Sequence, residues 1–264
     1  MYYFGKSDIG KKRQTNQDTY HTARFCDNVT LFILCDGMGG TNGGNIASGL
    51  AVKTTCEYIE NKVLEKTDFE SDICNSSEID FKTLLCEAVS AANSAVYKRA
   101  KDSKDLKNMG TTLVCALFVD EKLYIANVGD SRLYLIEKNK ISALTHDHSY
   151  VQLLVDMGQI TKEEAAVNPR RNILTRAVGT EASVETDVIE LDAPKKGSYI
   201  CLCSDGLYNF MSEDEMKNII RKKNKEYDDD DFDSELSYKT NTLINLANAN
   251  GGGDNITIIL IKIV

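Results

Sequence analysis

The apolar pattern of this chain predicts a layered α/β sandwich with largely antiparallel sheets. Three observations carry that expectation. Short runs rich in Val, Ile, Leu, Tyr and Phe recur near 2–8, 29–35, 111–119, 122–128, 131–137, 185–191, 198–204 and 255–263, punctuated by Gly, Asp and Asn. Longer stripes of helical period fall between clusters of these runs. The two kinds of element do not alternate as βαβα, which speaks against a doubly wound parallel sheet.

Taken in order, a helix is expected over about 45–66, after the first two strands. From Phe81 the apolar positions 81, 84, 85, 88, 89, 92, 95 and 96 form a stripe of period 3.6. The runs at 111–119 and 122–128 meet across Asp120-Glu121, a pair that reads as a tight hairpin. The run at 131–137 follows Gly129-Asp130 and is expected to lie antiparallel beside its predecessor. Two short helical pieces fall near 149–157 and 161–166. Ser212 with Glu215 makes a capping box for a helix ending near Lys223. A last helix covers roughly 236–249 and stops at Asn250-Gly251. The acidic run Asp228 to Asp231, with Asp233, lacks the spacing of a calcium loop and reads as a solvated loop. With only two prolines, Pro169 and Pro194, and no polar linker, one domain over 1–264 is expected.

Composition narrows the function classes. The 264 residues include 40 Asp and Glu against 31 Lys and Arg, a formal charge of −9. Nucleic acid and anionic membrane surfaces are poor partners for such a chain, since both need clustered positive charge. An anionic substrate stays possible, because bound divalent cations invert the local field. The eight cysteines form no C-x-x-C pair, and several sit inside apolar runs, as reduced thiols of a cytoplasmic protein do. The N-terminal residues have no apolar core of the signal-peptide kind, so none is expected. The stretch Ile256 to Val264 is interrupted by Lys262 and is too short to span a bilayer.

The chemistry is concentrated in acids at strand ends. LFILC leads into Asp36-Gly37, YICLCS into Asp205-Gly206 and LYIANVG into Asp130, while Asp254 precedes NITIILIKIV. A single Asp-Gly pair is usually a turn. Four strand-edge acids are better explained by a hard divalent cation, because gathering unpaired carboxylates costs several kcal/mol each or forces protonation. The glycine-rich stretch Gly37 to Gly44 is not a phosphate loop of the Walker kind, since Asn45 follows where Lys is required. A dinucleotide loop is disfavoured by the negative charge of Asp36 at its mouth. Coordination by Asp36 and the Gly37 carbonyl is more coherent. Arg13 and Asp18 alone would read as a surface ion pair; in a phosphatase Arg13 can grip two phosphate oxygens.

The ordered set Arg13-x-x-Asn-Gln-Asp18, Asp36-Gly-Met-Gly-Gly40, Gly110-Thr-Thr112, Asn127-Val-Gly-Asp-Ser-Arg132, Cys203-Ser-Asp-Gly-Leu207 and Gly253-Asp-Asn255 resembles the PPM family. These are the metal-dependent serine/threonine protein phosphatases, also called type 2C. Residues 145–178 look like the flap subdomain of the bacterial branch. The resemblance implies a four-layer αββα sandwich, two largely antiparallel sheets flanked by pairs of antiparallel helices. It implies hydrolysis of phosphoserine and phosphothreonine in proteins by a water activated by two metal ions, Mn²⁺ or Mg²⁺, without a covalent intermediate. Asp36, the Gly37 carbonyl, Asp205 and Asp254 are the implied ligands, with Asp18 an additional acid. Asp130 with Asp205 is an implied third site, and Arg13 the phosphate-binding residue. Implied partners are phosphorylated proteins, including a Ser/Thr kinase and its substrates, met by a monomer. The alternative is a catalytically weak, phospho-dependent regulatory module of the same fold.

One departure concerns the proton donor. Some members carry a histidine where this chain has Met38, and others where it has Thr41. The histidines here are His21, His146 and His148. The last two flank Asp147 at the flap entrance, where they either protonate a leaving alkoxide or serve as polar loop residues. A water on the metal is the other candidate.

Overall fold

The structure, a computed structural model, describes residues 1–68, 70–222 and 231–264, with the side chains of residues 41 and 42 outside the description. In chain order the first half holds β1 (Tyr2–Asp8), β2 (Asp18–Cys26), β3 (Val29–Met38), α1 (Gly40–Leu64), β4 (Thr67–Asp68), β5 (Ile73–Cys74) and α2 (Phe81–Lys101). The middle holds β6 (Gly110–Thr111), β7 (Leu113–Val119), β8 (Lys122–Val128), β9 (Arg132–Ile136), β10 (Ile141–Ala143), α3 (Tyr150–Asp156) and α4 (Lys162–Ala166). The chain closes with β11 (Asp187–Asp192), β12 (Tyr199–Cys203), α5 (Asp205–Tyr208), α6 (Glu213–Arg221), α7 (Phe232–Ala249) and β13 (Ile256–Lys262).

Two sheets form the centre. One runs β1-β13-β12-β9-β10 and the other β11-β8-β7-β3-β2, with β6 attached to β3, and the pairings within both are antiparallel. Alternate residues of the central strands face opposite ways. Leu31, Ile33 and Cys35 of β3 pack under α1 and α2, whereas Phe32 and Leu34 enter the layer between the sheets. In β13, Ile256, Ile258 and Leu260 pack against α5–α7, and Ile259 and Ile261 face the other sheet. Three apolar layers between four structural layers result, the αββα sandwich. The central strands are therefore buried on both faces, which is why they read as continuous apolar runs.

The helices follow their sequence signals. The α2 stripe is buried at Phe81, Leu84, Leu85, Ala88, Val89, Ala92 and Val96, and Asp80 caps its N-terminus. The Ser212–Glu215 capping box is present and starts α6. Helix α7 begins earlier than expected, at Phe232, because the Asp231 side chain accepts the Ser234 N–H as an N-cap; Asp228 to Asp230 and Lys223 lie outside the described residues. Helix α1 also begins earlier, at Gly40, so the glycine-rich stretch spans the end of β3 and the first turn of α1. Glycine is required there by close approach: a Cβ on Gly44 would lie 2.6 Å from the Gly37 carbonyl oxygen. No helix among the described residues is long and apolar enough to cross a membrane.

Two expectations change. Strand β2 was not anticipated, because an edge strand of sequence DTYHTARFC, half-exposed along much of its length, lacks a continuous apolar run. Strands β8 and β9 are not neighbours, although only Gly129 to Ser131 separates them. β8 pairs with β7 and β11, whereas β9 pairs with β12 and β10 in the opposite sheet. The chain crosses the sandwich at Gly129, whose φ of +102° favours glycine and whose absent Cβ would sit 2.7 Å from Thr112 Cγ2.

Two phenylalanines, Phe32 and Phe118, pack in the intersheet layer. Phe32 is fully buried, its ring meeting Tyr3 at 4.9 Å and Phe118 at 5.9 Å, both edge-on. Phe32→Ala should lower stability by about 3–5 kcal/mol, read from the urea midpoint at an unchanged m-value.

Candidate active site

The acids singled out in the sequence meet at one end of the sandwich, drawn from both sheets. Asp18 opens β2 and lies opposite Asp36 of β3 in the strand register. Asp205 is the first residue of α5, directly after β12 and Ser204. Asp254 stands two residues before β13, and Asp130 occupies the crossover between the sheets. A cleft of about 550 Å³ is lined by Arg13, Asp36, Gly37, Asp130, Asp205 and Asp254 among others. Asp18 lies behind this lining and is 9% exposed.

Neighbours hold these acids, and Asp18 and Asp205 each keep one buried carboxylate oxygen free. The Asp36 N–H donates to Thr112 Oγ1 at 2.8 Å, and its carbonyl accepts from the Thr112 N–H and from Thr111 Oγ1, both at 2.8 Å. The Asp36 backbone is thus clamped while its side chain faces the cleft. Asp18 Oδ2 accepts from Ser204 Oγ at 2.9 Å and Thr257 Oγ1 at 2.6 Å. Asp205 Oδ2 accepts from Asn209 Nδ2 at 3.1 Å. Asp254 Oδ1 accepts the Asn255 N–H at 2.9 Å, and its Oδ2 accepts from Arg13 at 2.7 Å. Arg13 is half-exposed at the cleft mouth.

Asn255 is an organiser that residue-type reasoning did not single out, although it stood inside the Gly253-Asp-Asn255 motif. Its Nδ2 donates to the carbonyls of Ile9 at 2.9 Å and Thr15 at 3.0 Å, and its Oδ1 accepts the Gln17 N–H at 2.9 Å. One buried amide therefore ties the segment carrying Arg13 to the segment carrying Asp254. Thr112, Asn172 and Leu174 also line the cleft. The last two come from residues 145–178, a segment pinned by bridges between Ser149 and Leu174 and between Thr111 and Val178.

Electrostatics in the cleft are dominated by burial of like charges. Burial, then repulsion from Asp18, Asp205, Asp130 and Asp254, pushes Asp36 well above the usual carboxylate range. Asp205 is raised well above it by burial, then by Asp130, Asp254 and Asp18. Burial lifts Asp18 to about 6 against the opposing hydrogen bonds from Thr257 and Ser204. Asp130 is lifted to about 7 by burial and by Asp147, with Arg132 opposing. The guanidinium of Arg132 is itself engaged, donating to Asp147 Oδ2 at 2.7 and 3.2 Å and to its Oδ1 at 2.9 Å.

The donor set suits a hard cation. All the converging groups are oxygens. Asp18 Oδ1 and Asp205 Oδ1 are buried with no hydrogen-bond partner, a state that a cation would relieve. Among the described residues, no three His, Cys, Asp or Glu side chains stand ready to enclose an ion unaided. An open site is compatible with that spacing, because Mg²⁺ keeps several waters and takes one or two carboxylates.

The histidines are elsewhere. His148 is 6% exposed with both ring nitrogens engaged, Nδ1 accepting from the Gly129 N–H at 3.1 Å and Nε2 meeting Asp187 at 3.1 Å. Burial lowers its pKa below the ordinary imidazole value, against the opposing hydrogen bond and charge of Asp187. His146 Nε2 is bonded to Asp156 Oδ2 at 2.8 Å, outside the cleft lining, and His21 lies exposed on β2. No histidine lines the cleft among the described residues, and both His146 and His148 are hydrogen-bonded to acids outside that lining. Met38 lines the cleft and offers no proton; the Thr41 side chain is outside the described residues.

These raised values have a measurable sign. An unfolded Asp titrates near 3.9, below the folded values of about 6 for Asp18 and about 7 for Asp130. Stability contributed by the protonated folded acids is complete below about pH 4 and is lost as pH rises towards 7. In chelator-treated protein, Asp130→Asn should gain thermal midpoint over the parent at pH 7.5 and not at pH 4. Parallel melting-versus-pH curves for the two proteins would contradict the cause assigned.

Comparison with known proteins agrees with this geometry. A family model described as protein phosphatase 2C matches residues 5–238. The serine/threonine phosphatase stp of Listeria welshimeri is 37% identical over 257 residues, covering 97% of this chain and 94% of that protein. The crystal structure of the serine/threonine phosphatase Stp1 from Staphylococcus aureus is 32% identical with a TM-score of 0.83, covering 99% of this chain and 94% of that one. The catalytic domain of the serine/threonine protein phosphatase PstP, in complex with two manganese ions, is 30% identical with a TM-score of 0.79, over 98% of this chain and 96% of that one. With the family model spanning most of the chain and relatives matched along nearly their whole length, this chain belongs to the protein phosphatase 2C family.

Proposed function

We propose that the acid cleft hydrolyses phosphoserine and phosphothreonine in proteins by direct attack of water, with divalent cations held by Asp36, the Gly37 carbonyl, Asp205 and Asp254. The chain is a serine/threonine protein phosphatase by family; the metal-assisted route is the reading argued for its cleft. It is carried by one observation, the two buried and unpartnered oxygens of Asp18 and Asp205 among acids that repel one another. The solved relative PstP holds two manganese ions. When bound, two ions such as Mn²⁺ or Mg²⁺ would supply positive charge for the phosphoryl oxygens and a water acidic enough to attack at neutral pH.

The protein's own contribution is placement. Thr111 and Thr112 clamp the backbone of Asp36, and Ser204 and Thr257 turn Asp18 so that Oδ1 stays free. Asp254 holds Arg13 at the cleft mouth, where its remaining N–H groups are available to a phosphate oxygen. Asp130 with Asp205 would take a third ion. No thiol serves as nucleophile: Cys35, beside Asp36, is fully buried, which pushes it well above the usual range. With no histidine among the described lining residues, water supplies the proton to the leaving alkoxide. Residues 145–178 act as a flap, bordering the cleft through Asn172 and Leu174 and meeting the phosphoprotein. The substrates inferred are phosphoproteins opposite a Ser/Thr kinase, met by a monomeric enzyme in the cytoplasm.

Phosphate release from a phosphothreonine peptide should require added Mn²⁺ and stop with chelator. Asp36→Asn and Asp205→Asn should each lower kcat/KM by at least roughly a hundredfold, the scale for loss of one charge-placing group. Undiminished turnover in both variants would refute the assignment. A binding module would show no release in the parent protein at any metal concentration.

A further inference from the structure

His148 lies at the root of the 145–178 segment and is locked to the turn that carries Asp130. The His148 N–H donates to the Gly129 carbonyl at 2.9 Å, and the Gly129 N–H donates back to His148 Nδ1 at 3.1 Å. Both polar groups of Gly129 are thereby satisfied by one residue. On the far side of the ring, Nε2 lies 3.1 Å from Asp187 Oδ2, and Asp187 Oδ1 accepts from Arg176 at 2.8 Å. Because Nδ1 accepts, the ring proton belongs on Nε2, where it points at Asp187. Arg176 is also 2.8 Å from Glu185, which fixes the guanidinium that orients Asp187.

The two residues after Gly129 are held by other groups. The Asp130 carbonyl accepts from Tyr208 OH at 2.9 Å, and Ser131 Oγ meets Thr112 Oγ1 at 2.7 Å. The Gly129 N–H has the imidazole of His148 as its partner. At φ +102° Gly129 sits where few residues can, so the direction in which the chain leaves it sets where Asp130 points.

We propose that His148 is a positioning residue of this phosphatase, its Nδ1 holding the Gly129–Asp130 turn so that the Asp130 carboxylate faces the acid cleft, with Asp187 selecting the tautomer that can do so. The inference rests on the proposed reading of the cleft for its catalytic consequence, but not for its structural one.

Two substitutions separate the ring's two nitrogens. Asn carries an oxygen the same number of bonds from Cα as Nδ1, and Gln carries a nitrogen at the distance of Nε2. In metal-free protein, His148→Gln should speed hydrogen exchange of the Gly129 amide by about tenfold, and His148→Asn by less than about threefold, as expected when one hydrogen bond is lost or kept. In turnover of a phosphothreonine peptide with Mn²⁺, His148→Gln should lose kcat/KM by a similar factor to Asp130→Ala, and the double variant no more than either. His148→Asn should recover most of that loss. Equal Gly129 exchange in the Asn and Gln variants would overturn the proposal, since ring volume alone would then matter. A double variant that falls by the product of the single effects would also overturn it. If the parent protein releases no phosphate, the proposed function fails, and the exchange comparison alone still judges the latch.

Discussion

Mutual repulsion among buried carboxylates is the constraint around which the rest of this structure is arranged. Five acids share one end of the sandwich, and burial together with neighbouring charge raises four of them. A flexible chain would relax such an arrangement by separating the charges or exposing them to water. Here the strands prevent relaxation, because Asp18 and Asp36 are register partners in one sheet while Asp205 and Asp254 flank paired strands of the other. The cations within reach do not neutralise the set. Arg13 is shared with Asp254, and Arg132 is committed to Asp147. Charge held apart from its compensation in this way is the physical basis of the cation binding proposed for the cleft.

Rigidity of that kind has to come from the layers behind the site. Three apolar layers run the length of the sheets, and the central strands contribute to two of them at once. Hydroxyls then finish the work locally. Ser204, Thr257, Thr111 and Thr112 are small and buried, and they direct particular carboxylate or backbone oxygens without adding charge. A hydroxyl donor orders an acid while leaving its second oxygen free for a ligand, as at Asp18.

The crossover at Gly129 links this core to the 145–178 segment. Asp130 reaches the cleft because the chain leaves one sheet and enters the other there. Its turn is gripped from α5 through Tyr208, from β11 through Asp187 and His148, and from the strand junction through Thr112. Asn93 of α2 holds the far end of the segment, accepting the Gly179 N–H at 2.7 Å and donating to the Glu181 carbonyl at 3.0 Å. The segment is therefore tethered at both ends, through His148 to the Asp130 turn and through the Val178 bridge to Thr111, which also holds the Asp36 carbonyl.

The sequence by itself determined the burial pattern and the ordered set of site residues. Strands buried on both faces announce themselves as continuous apolar runs, and helices such as α2 as a 3.6-residue stripe, because both periods are set by local backbone geometry. Asp36, Asp205, Asp254 and Asp130 were legible as a series for the same local reason, each standing at a strand end, whereas Asp18 and Arg13 were legible only through the ordered motifs that resemble the PPM family. Apart from the β7–β8 hairpin, only the tertiary structure decided which strands are neighbours. It made β2 an edge partner of β3, separated β8 from β9 across the sandwich, and set His148 between Gly129 and Asp187, outside the cleft lining. Those outcomes depend on contacts between residues far apart in the chain, such as Asn255 with Ile9 and Ser204 with Asp18. Their energies come from burial and hydrogen-bond completion in the assembled sandwich, which no local pattern of residues encodes.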